Sequence, residues 1–287
     1  MIESGIQNKN SVFISCKDHT VSKKQFDLLF DPEKQMLATF PKPELNDLPR
    51  YYKSQDYISH TDSKRTLIEK IYHQVKKHML LKKLKWIEKK YPEKGNILDI
   101  GAGTGDFLNE AKKRGWNVHG IEPDAEARKR ALEKGIKLSV NSHNFESEKF
   151  DVITMWHVLE HVYDLKNQII ELELLLKKNG LLVIAVPNYK SYDAQYYKEF
   201  WAAYDVPRHL WHFSQQSFKP LFSGNKFRQT DLKPLIFDSF YVSLLSEKYK
   251  TGRSNFLRAL AIGLKSNLKA RSTTEHSSLV YFFRKTK

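Results

Sequence analysis

The sequence predicts an α/β fold built on a doubly wound parallel sheet. Three observations predict it. Residues 96–105, NILDIGAGTG, run an apolar strand into glycines at every second position, and residues 106–114 read as the helix that follows. From 96 to 186, strand patterns then alternate with helical ones, which implies right-handed crossovers between parallel strands. The apolar stretch Val118 to Ile121 ends in Glu122, 21 residues past Gly101, where a carboxylate closing a second strand grips ribose hydroxyls.

Residues 1–61 hold short apolar pieces, aromatics and the cluster Pro41, Pro43 and Pro49, and read as an N-terminal arm or small cap. Residues 62–287 read as the main domain. Within 62–90, Leu67, Ile68, Ile71, Val75, Leu80, Leu84 and Ile87 recur at helical spacing. This predicts a long helix with a lysine-rich outer face, closing at Tyr91-Pro92. Strands follow at 96–100, 117–121, 136–140, 150–155 and 180–186, with helices at 106–114, 124–134 and 165–177. Residues 188–215 break this rhythm with a dense aromatic insert. The tail adds a strand near 229–236, helices at 239–249 and 254–270, and a last strand at 278–284, for seven strands in all.

The glycine spacing selects the ligand. Dinucleotide sites favour G-x-G-x-x-G, whose third glycine seats a pyrophosphate at a helix N-terminus. Here the third glycine comes one position early, and Asp99 stands two residues before Gly101, where it would repel phosphate. A carboxylate at that point suits a cationic ligand. S-adenosylmethionine carries an ammonium and a sulfonium and no phosphate. Asp99, Gly101, Gly103, Gly105 and Glu122 are therefore the candidate cofactor residues.

At these residues the chain resembles the class I S-adenosylmethionine-dependent methyltransferases. LDIGAGTG looks like their first motif, HGIEP like their second, and FDVITMWHVLEHV like their fourth strand and the loop beyond. The resemblance is closest to a bacterial group that shares LEHV with ubiquinone-type O-methyltransferases and carries D-x-P-R-H downstream, here Asp205 to His209. It covers residues 96–213 and implies a Rossmann-like sheet whose last strand is antiparallel. Many relatives carry an acidic residue beside the adenine before the fourth strand; only Glu146 and Glu148 are available here. Many also begin with a cysteine-rich zinc element, which cannot close with Cys16 and His19 alone.

Trp156 follows the fourth strand directly and is a candidate to lie against the cofactor, with a core tryptophan as the alternative. His157, Glu160 and His161 spell H-x-x-E-H, a zinc-peptidase pattern, but a peptidase needs neither the glycine turn nor the ribose carboxylate. In ubiquinone-type relatives, carboxylates and a histidine at this place are associated with a divalent ion. His157 replaces one of those carboxylates, which weakens a magnesium site, and no metal is predicted. Methyl transfer requires a nucleophile held in line with the methyl carbon. A hydroxyl acceptor also needs a base, and His161 and His209 are the candidates. The insert FWAAYDVPRHLWHFS reads either as a substrate wall in which Arg208 grips an anion, or as a lid in which Asp205 pairs with Arg208.

The predicted activity is methyl transfer from S-adenosylmethionine to a small-molecule or lipid- or glycan-linked acceptor, at oxygen. The alternatives are N- or C-methylation and a non-catalytic S-adenosylmethionine-binding protein. One cysteine in 287 residues permits no internal disulfide, the first residues lack a signal pattern, and the longest clean apolar run, Leu181 to Val186, is too short to span a bilayer. A cytoplasmic protein is the expectation. The net charge of +15 is uneven: residues 62–94 carry +7 and residues 219–287 carry +10, whereas 95–218 carry −2. Nucleic acid is disfavoured as a partner, because the chain lacks both a nucleic-acid-binding signature and the D/N-P-P-[YFW] pattern. Residues 255–271 form a basic amphipathic helix. The sequence favours packing of this helix against the last strand, with peripheral contact to an anionic membrane as the second reading.

Overall fold

The computed structural model describes residues 11–52, 67–143, 145, 147 and 149–286. The boundary expected at 61/62, Glu146 and Glu148, and the side chains of Leu67, Ile68 and Ile71 lie outside the described part. Helix α1 (Leu67–Lys90) leads into β4 (Asn96–Ile100), α2 (Asp106–Lys113), β5 (Asn117–Ile121), α3 (Ala125–Glu133) and β6 (Phe150–Trp156). Next come α4 (Leu165–Leu175) and β7 (Leu176–Pro187). The tail supplies β9 (Phe227–Pro234), α7 (Asp238–Thr251), α8 (Phe256–Thr273) and β10 (Ser278–Lys285).

These strands form one sheet in the order β5-β4-β6-β7-β10-β9. β4, β5, β6 and β7 run parallel, and β10 lies antiparallel between β7 and β9. Among the described residues this sheet has six strands rather than seven. The strand expected at 136–140 is reduced to one parallel bridge, Ile121 to Ser139, at the β5 edge. Side chains hold that segment where a full ladder would have: Leu138 fills the space beside Gly120, and Ile136 is buried. α4 ends two residues before its expected limit because Leu176 already pairs with Phe150 as the start of β7.

Burial on both faces explains why the strands read as nearly continuous apolar runs. Alternation still sorts them. Leu98, Ile153, Leu182 and Ile184 pack on the α4 face, while Ile97, Val152, Val183 and Phe282 pack against Leu84 and Ile87 of α1 and Phe107 and Leu108 of α2.

The N-terminal residues form their own antiparallel sheet: β1 (Ser11–Lys17), β2 (Gln25–Asp31) and β3 (Met36–Phe40). Its fourth strand, β8 (Trp211–His212), comes from the insert. Cys16, Phe26, Leu28 and Leu37 pack with Tyr197, Trp201, Tyr204 and Val206, so the first strands and the insert share one core. Burial pushes the Cys16 thiol up to about 12, as expected for an inert core cysteine. Among the described residues, no helix is long and apolar enough to cross a membrane.

α8 packs on α7 and on α5 (Tyr192–Tyr197), not on the last strand. Its inward residues are small: Ala259, Gly263, Ser266 and Ala270, with Ile262. A side chain at Gly263 would meet Phe240 Cδ1 at 2.7 Å. The larger residues Phe256, Leu257, Leu260, Leu264 and Leu268 are exposed, Leu257 at 78%. The close backbone approach that the small residues permit leaves the leucines facing outward.

Candidate active site

In an open α/β sheet, ligands bind beyond the carboxyl ends of the strands. Gly101, Gly103 and Gly105 stand there, past β4, with φ of +71°, +53° and +74°. Only glycine adopts this left-handed region without strain. Their surroundings differ. A Cβ at Gly101 would lie 2.4 Å from Val158 Cγ2, and one at Gly105 would lie 3.0 Å from Ala131 Cβ. Gly103 alone faces open space, with nothing within 4 Å of a Cβ there. Gly101 and Gly105 therefore serve close packing within the chain, and Gly103 is the bare position.

Glu122 reaches this turn from the end of β5. Its Oε2 accepts the Gly103 N–H at 2.8 Å and its Oε1 accepts the Asp124 N–H at 2.9 Å. Asp99 is 2% exposed within β4, and its Oδ1 accepts the Thr154 hydroxyl at 2.6 Å. Burial lifts the Asp99 carboxyl to about 7, against the Thr154 hydroxyl and the Lys83 ammonium, which favour its charge. At the start of α2, Asp106 meets the positive end of the helix and pairs with Lys76 and Lys134, each at 2.6 Å. A carboxylate there repels a pyrophosphate.

Trp156 ends β6. It packs edge-on against Phe107, with centroids 5.4 Å apart, and carries the Lys83 ammonium 4.1 Å from its ring centroid. The next residue, His157, is left-handed at φ +57°. Its Nε2 lies 3.0 Å from Asp238 Oδ2, and its Nδ1 lies 3.4 Å from Glu160 Oε1. Burial opposes a charge on His157, but the two carboxylates outweigh it and lift the imidazole to about 9.

His161 and His209 come together from separate segments, their rings crossed at 82° with centroids 4.5 Å apart. His161 Nδ1 lies 3.1 Å from the Arg208 carbonyl and 3.1 Å from the Tyr52 hydroxyl; His209 Nδ1 lies 2.9 Å from the Ala203 carbonyl. A carbonyl only accepts, so Nδ1 carries the proton in both rings and Nε2 is the basic atom. Burial and the neighbouring His209 push His161 down to about 4.

A family model for the methyltransferase domain matches residues 71–231. The chain belongs to the class I S-adenosylmethionine-dependent methyltransferases. This methyltransferase is similar to the ubiquinone biosynthesis O-methyltransferase of Vibrio parahaemolyticus, 30% identical over 170 residues, or 55% of this chain and 72% of that protein. To its counterpart in Actinobacillus pleuropneumoniae it is 36% identical over 106 residues, 32% of this chain and 45% of that one. The chain spans about half the length of the first curated relatives it matches. Among solved structures, it shares its fold with phosphoethanolamine N-methyltransferase 2 of Haemonchus contortus (TM-score 0.54, 16% identity, 93% of this chain and 70% of that one). It also shares it with geranyl diphosphate C-methyltransferase of Streptomyces coelicolor (TM-score 0.54, 14% identity, 80% of this chain and 84% of that one).

Of the two readings of the insert, Arg208 follows the lid. Arg208 does not grip a substrate anion. It is 3% exposed, its Nε and Nη2 donate to the two oxygens of Asp205 at 2.9 and 2.5 Å, and its Nη1 donates to the Tyr51 carbonyl. Asp18 faces it at 3.6 Å. The bidentate pair uses up the fork that a ligand would need. The aromatics Trp201 and Tyr204 beside it are core, as the lid reading of the insert has it. The insert instead contributes His209, held by Thr39 Oγ1 on its carbonyl at 2.6 Å.

Asp238 and Lys83 belong to the site and were not singled out from sequence. Lys83 sits in a lysine-rich stretch that looks uniformly solvated. Asp238 opens a helix far along the chain with no motif around it.

Proposed function

We propose that this methyltransferase moves a methyl group from S-adenosylmethionine to an oxygen of a small-molecule or lipid-linked acceptor. The observation that carries the reading is the His161–His209 pair, with each Nδ1 engaged by a carbonyl, so that Nε2 is the ring atom that can accept a proton. In this reading the bare backbone at Gly103 lies against the cofactor, and Asp99 answers its cationic methionine end. Glu122, fixed by two backbone N–H groups, keeps lone pairs for the ribose hydroxyls. Trp156 flanks the cofactor beside Phe107.

The chemistry then needs little. The acceptor oxygen attacks the methyl carbon in line, the carbon–sulfur bond breaks with its electron pair going to sulfur, and the hydroxyl proton passes to an imidazole Nε2. S-adenosylhomocysteine and a methyl ether leave. Transfer to oxygen is also what the names of the curated relatives describe for those proteins.

Delivery of a lipid-linked acceptor fits α8. Its outward Phe256, Leu257, Leu260, Leu264 and Leu268 are flanked by Arg258, Lys265 and Lys269, so an anionic bilayer matches the face in both polarity and charge.

The test offers hydroxylated aromatics with and without a lipid tail, primary amines and allylic diphosphates, each with S-adenosylmethionine. Methyl ether and S-adenosylhomocysteine in equal amounts support the reading. Products methylated only at nitrogen or carbon overturn it, and cofactor binding without turnover of any acceptor favours a non-catalytic role. Sedimentation with anionic and neutral vesicles tests α8: preferential anionic binding, lost in Leu257→Asp/Leu264→Asp, is expected, and equal, negligible binding to both removes the membrane contact.

A further inference from the structure

We infer that Tyr52, at the end of the N-terminal cap, is a positioning residue for His161. The role rests on the proposed transfer to oxygen, in which an imidazole takes the hydroxyl proton. The Tyr52 hydroxyl oxygen lies 3.1 Å from His161 Nδ1, and the Arg208 carbonyl lies 3.1 Å from the same nitrogen. A carbonyl only accepts, so the ring proton sits on Nδ1, and the phenol oxygen accepts it as well. One N–H shared between two acceptors fixes both the tautomer and the ring. With the carbonyl alone, the imidazole would be free to swing about that single bond. The second acceptor, reached from a different segment, takes the swing away and aims Nε2.

Tyr52 is held in its turn. It closes the short helix Leu48–Tyr52, and Arg208 Nη1 donates to the carbonyl of the residue before it, Tyr51, at 2.9 Å. A ring of contacts results. The Arg208 carbonyl meets His161, His161 meets Tyr52, and the backbone from Tyr52 to Tyr51 leads back to the Arg208 guanidinium. The Tyr51 side chain packs edge-on against Phe26 of β2, with centroids 6.2 Å apart, so the folded N-terminal sheet sets where Tyr52 stands. Buried Arg208 thereby has a use besides its pair with Asp205.

The same cap fastens the neighbouring segments. The Thr39 N–H donates to the Leu210 carbonyl at 3.0 Å, beside the hydroxyl bond to the His209 carbonyl. Lys42 Nζ donates to the Tyr163 carbonyl at 2.7 Å, two residues past His161. Those bonds end on backbone and would serve any lid. The Tyr52 bond ends on the ring of a proposed base, and that sets it apart. A reacting group misplaced by about 1 Å costs on the order of 10²-fold in rate. Loss of the Tyr52 oxygen leaves the Arg208 carbonyl in place, so kcat should fall by about 10- to 100-fold, less than for a missing base at its worst. Asp99, Gly103 and Glu122 lie outside this ring of contacts, so S-adenosylmethionine affinity should hold.

The test uses the full chain and Tyr52→Phe, which keeps the aromatic ring and removes only the oxygen. NMR of the protein labelled with ¹⁵N-histidine, without acceptor and with His161→Gln to assign the signal, reads the tautomer directly. The wild type should show His161 protonated at Nδ1. Tyr52→Phe should exchange that proton with water about 10-fold faster, as the loss of one hydrogen bond implies. With a hydroxylated acceptor, kcat should fall by about 10- to 100-fold at an unchanged melting temperature and an unchanged S-adenosylmethionine Kd. A wild-type His161 protonated at Nε2 overturns the role, as does unchanged exchange or unchanged kcat in Tyr52→Phe. Joint loss of melting temperature, cofactor affinity and kcat marks Tyr52 as structural and overturns it too. Normal turnover in His161→Ala would instead fell the base itself, a failure that the NMR, which needs no acceptor, keeps distinct from the absence of the Tyr52 bond.

Discussion

Valine at Gly103 separates ligand contact from folding. At φ +53° a side chain pays for the left-handed backbone, about 1–2 kcal/mol, but its Cβ meets no atom within 4 Å. At roughly 2–4 °C per kcal/mol, the melting temperature should fall by only a few degrees. The same side chain projects into the space assigned to the cofactor. A loss of S-adenosylmethionine affinity of 100-fold or more, about 2.7 kcal/mol, is the expected result. Gly101→Val is the contrasting variant: it adds a 2.4 Å collision with Val158 to the same backbone cost and should lose most of its stability. Differential scanning fluorimetry and isothermal titration calorimetry read both quantities, with NAD as a control ligand that should bind far more weakly. A stable Gly103→Val protein with unchanged S-adenosylmethionine affinity would refute the placement of the ligand, and tight NAD binding would refute the choice of cofactor.

Three further outcomes follow from the site. Asp99 is held near 7, above its ordinary range, so below that pH a cationic ligand must displace its proton. S-adenosylmethionine affinity should therefore rise with pH up to about 7 and level off above, with proton release visible by calorimetry in buffers of different ionisation heats; Asp99→Asn should flatten the profile. His161→Ala and His209→Ala should be compared for melting temperature, cofactor affinity and turnover. At least one, with His161 slightly favoured, should keep the first two while turnover falls on the order of 10²–10⁴-fold, and normal turnover in both would mean that positioning alone carries the reaction. Arg208→Ala leaves Asp205 without its bidentate partner and should cost about 3–5 kcal/mol of stability; loss of turnover at an unchanged melting temperature would restore Arg208 to the substrate.

The nucleotide-binding half was legible because its signals are local. Asp99 before the glycines and Glu122 after the second strand are positioned by strand ends, and strand ends are written in apolar runs of five residues. The antiparallel last strand came from family resemblance, not from spacing. The third strand misled because IKLSV has strand composition, yet edge pairing depends on what neighbours it, and Leu138 turned inward beside Gly120. The leucines of α8 misled for a similar reason. Periodicity marks two faces of a helix but does not say which is covered, and here the small-residue face won because it lets α7 approach closely.

By itself, the sequence determined the glycine turn, the two carboxylates that flank it and the alternation that winds the sheet, since each depends on residues a few positions apart. The tertiary structure alone decided the rest of the site. It made β8 of the insert the fourth strand of the N-terminal sheet, carried Asp238 to His157, and set His209 against His161 and Glu160. Those contacts join residues tens to hundreds of positions apart, and no spacing rule spans such distances. They are fixed only when the whole chain packs, because burial of the shared core around Trp201 and Tyr204 outweighs any preference of the segments alone.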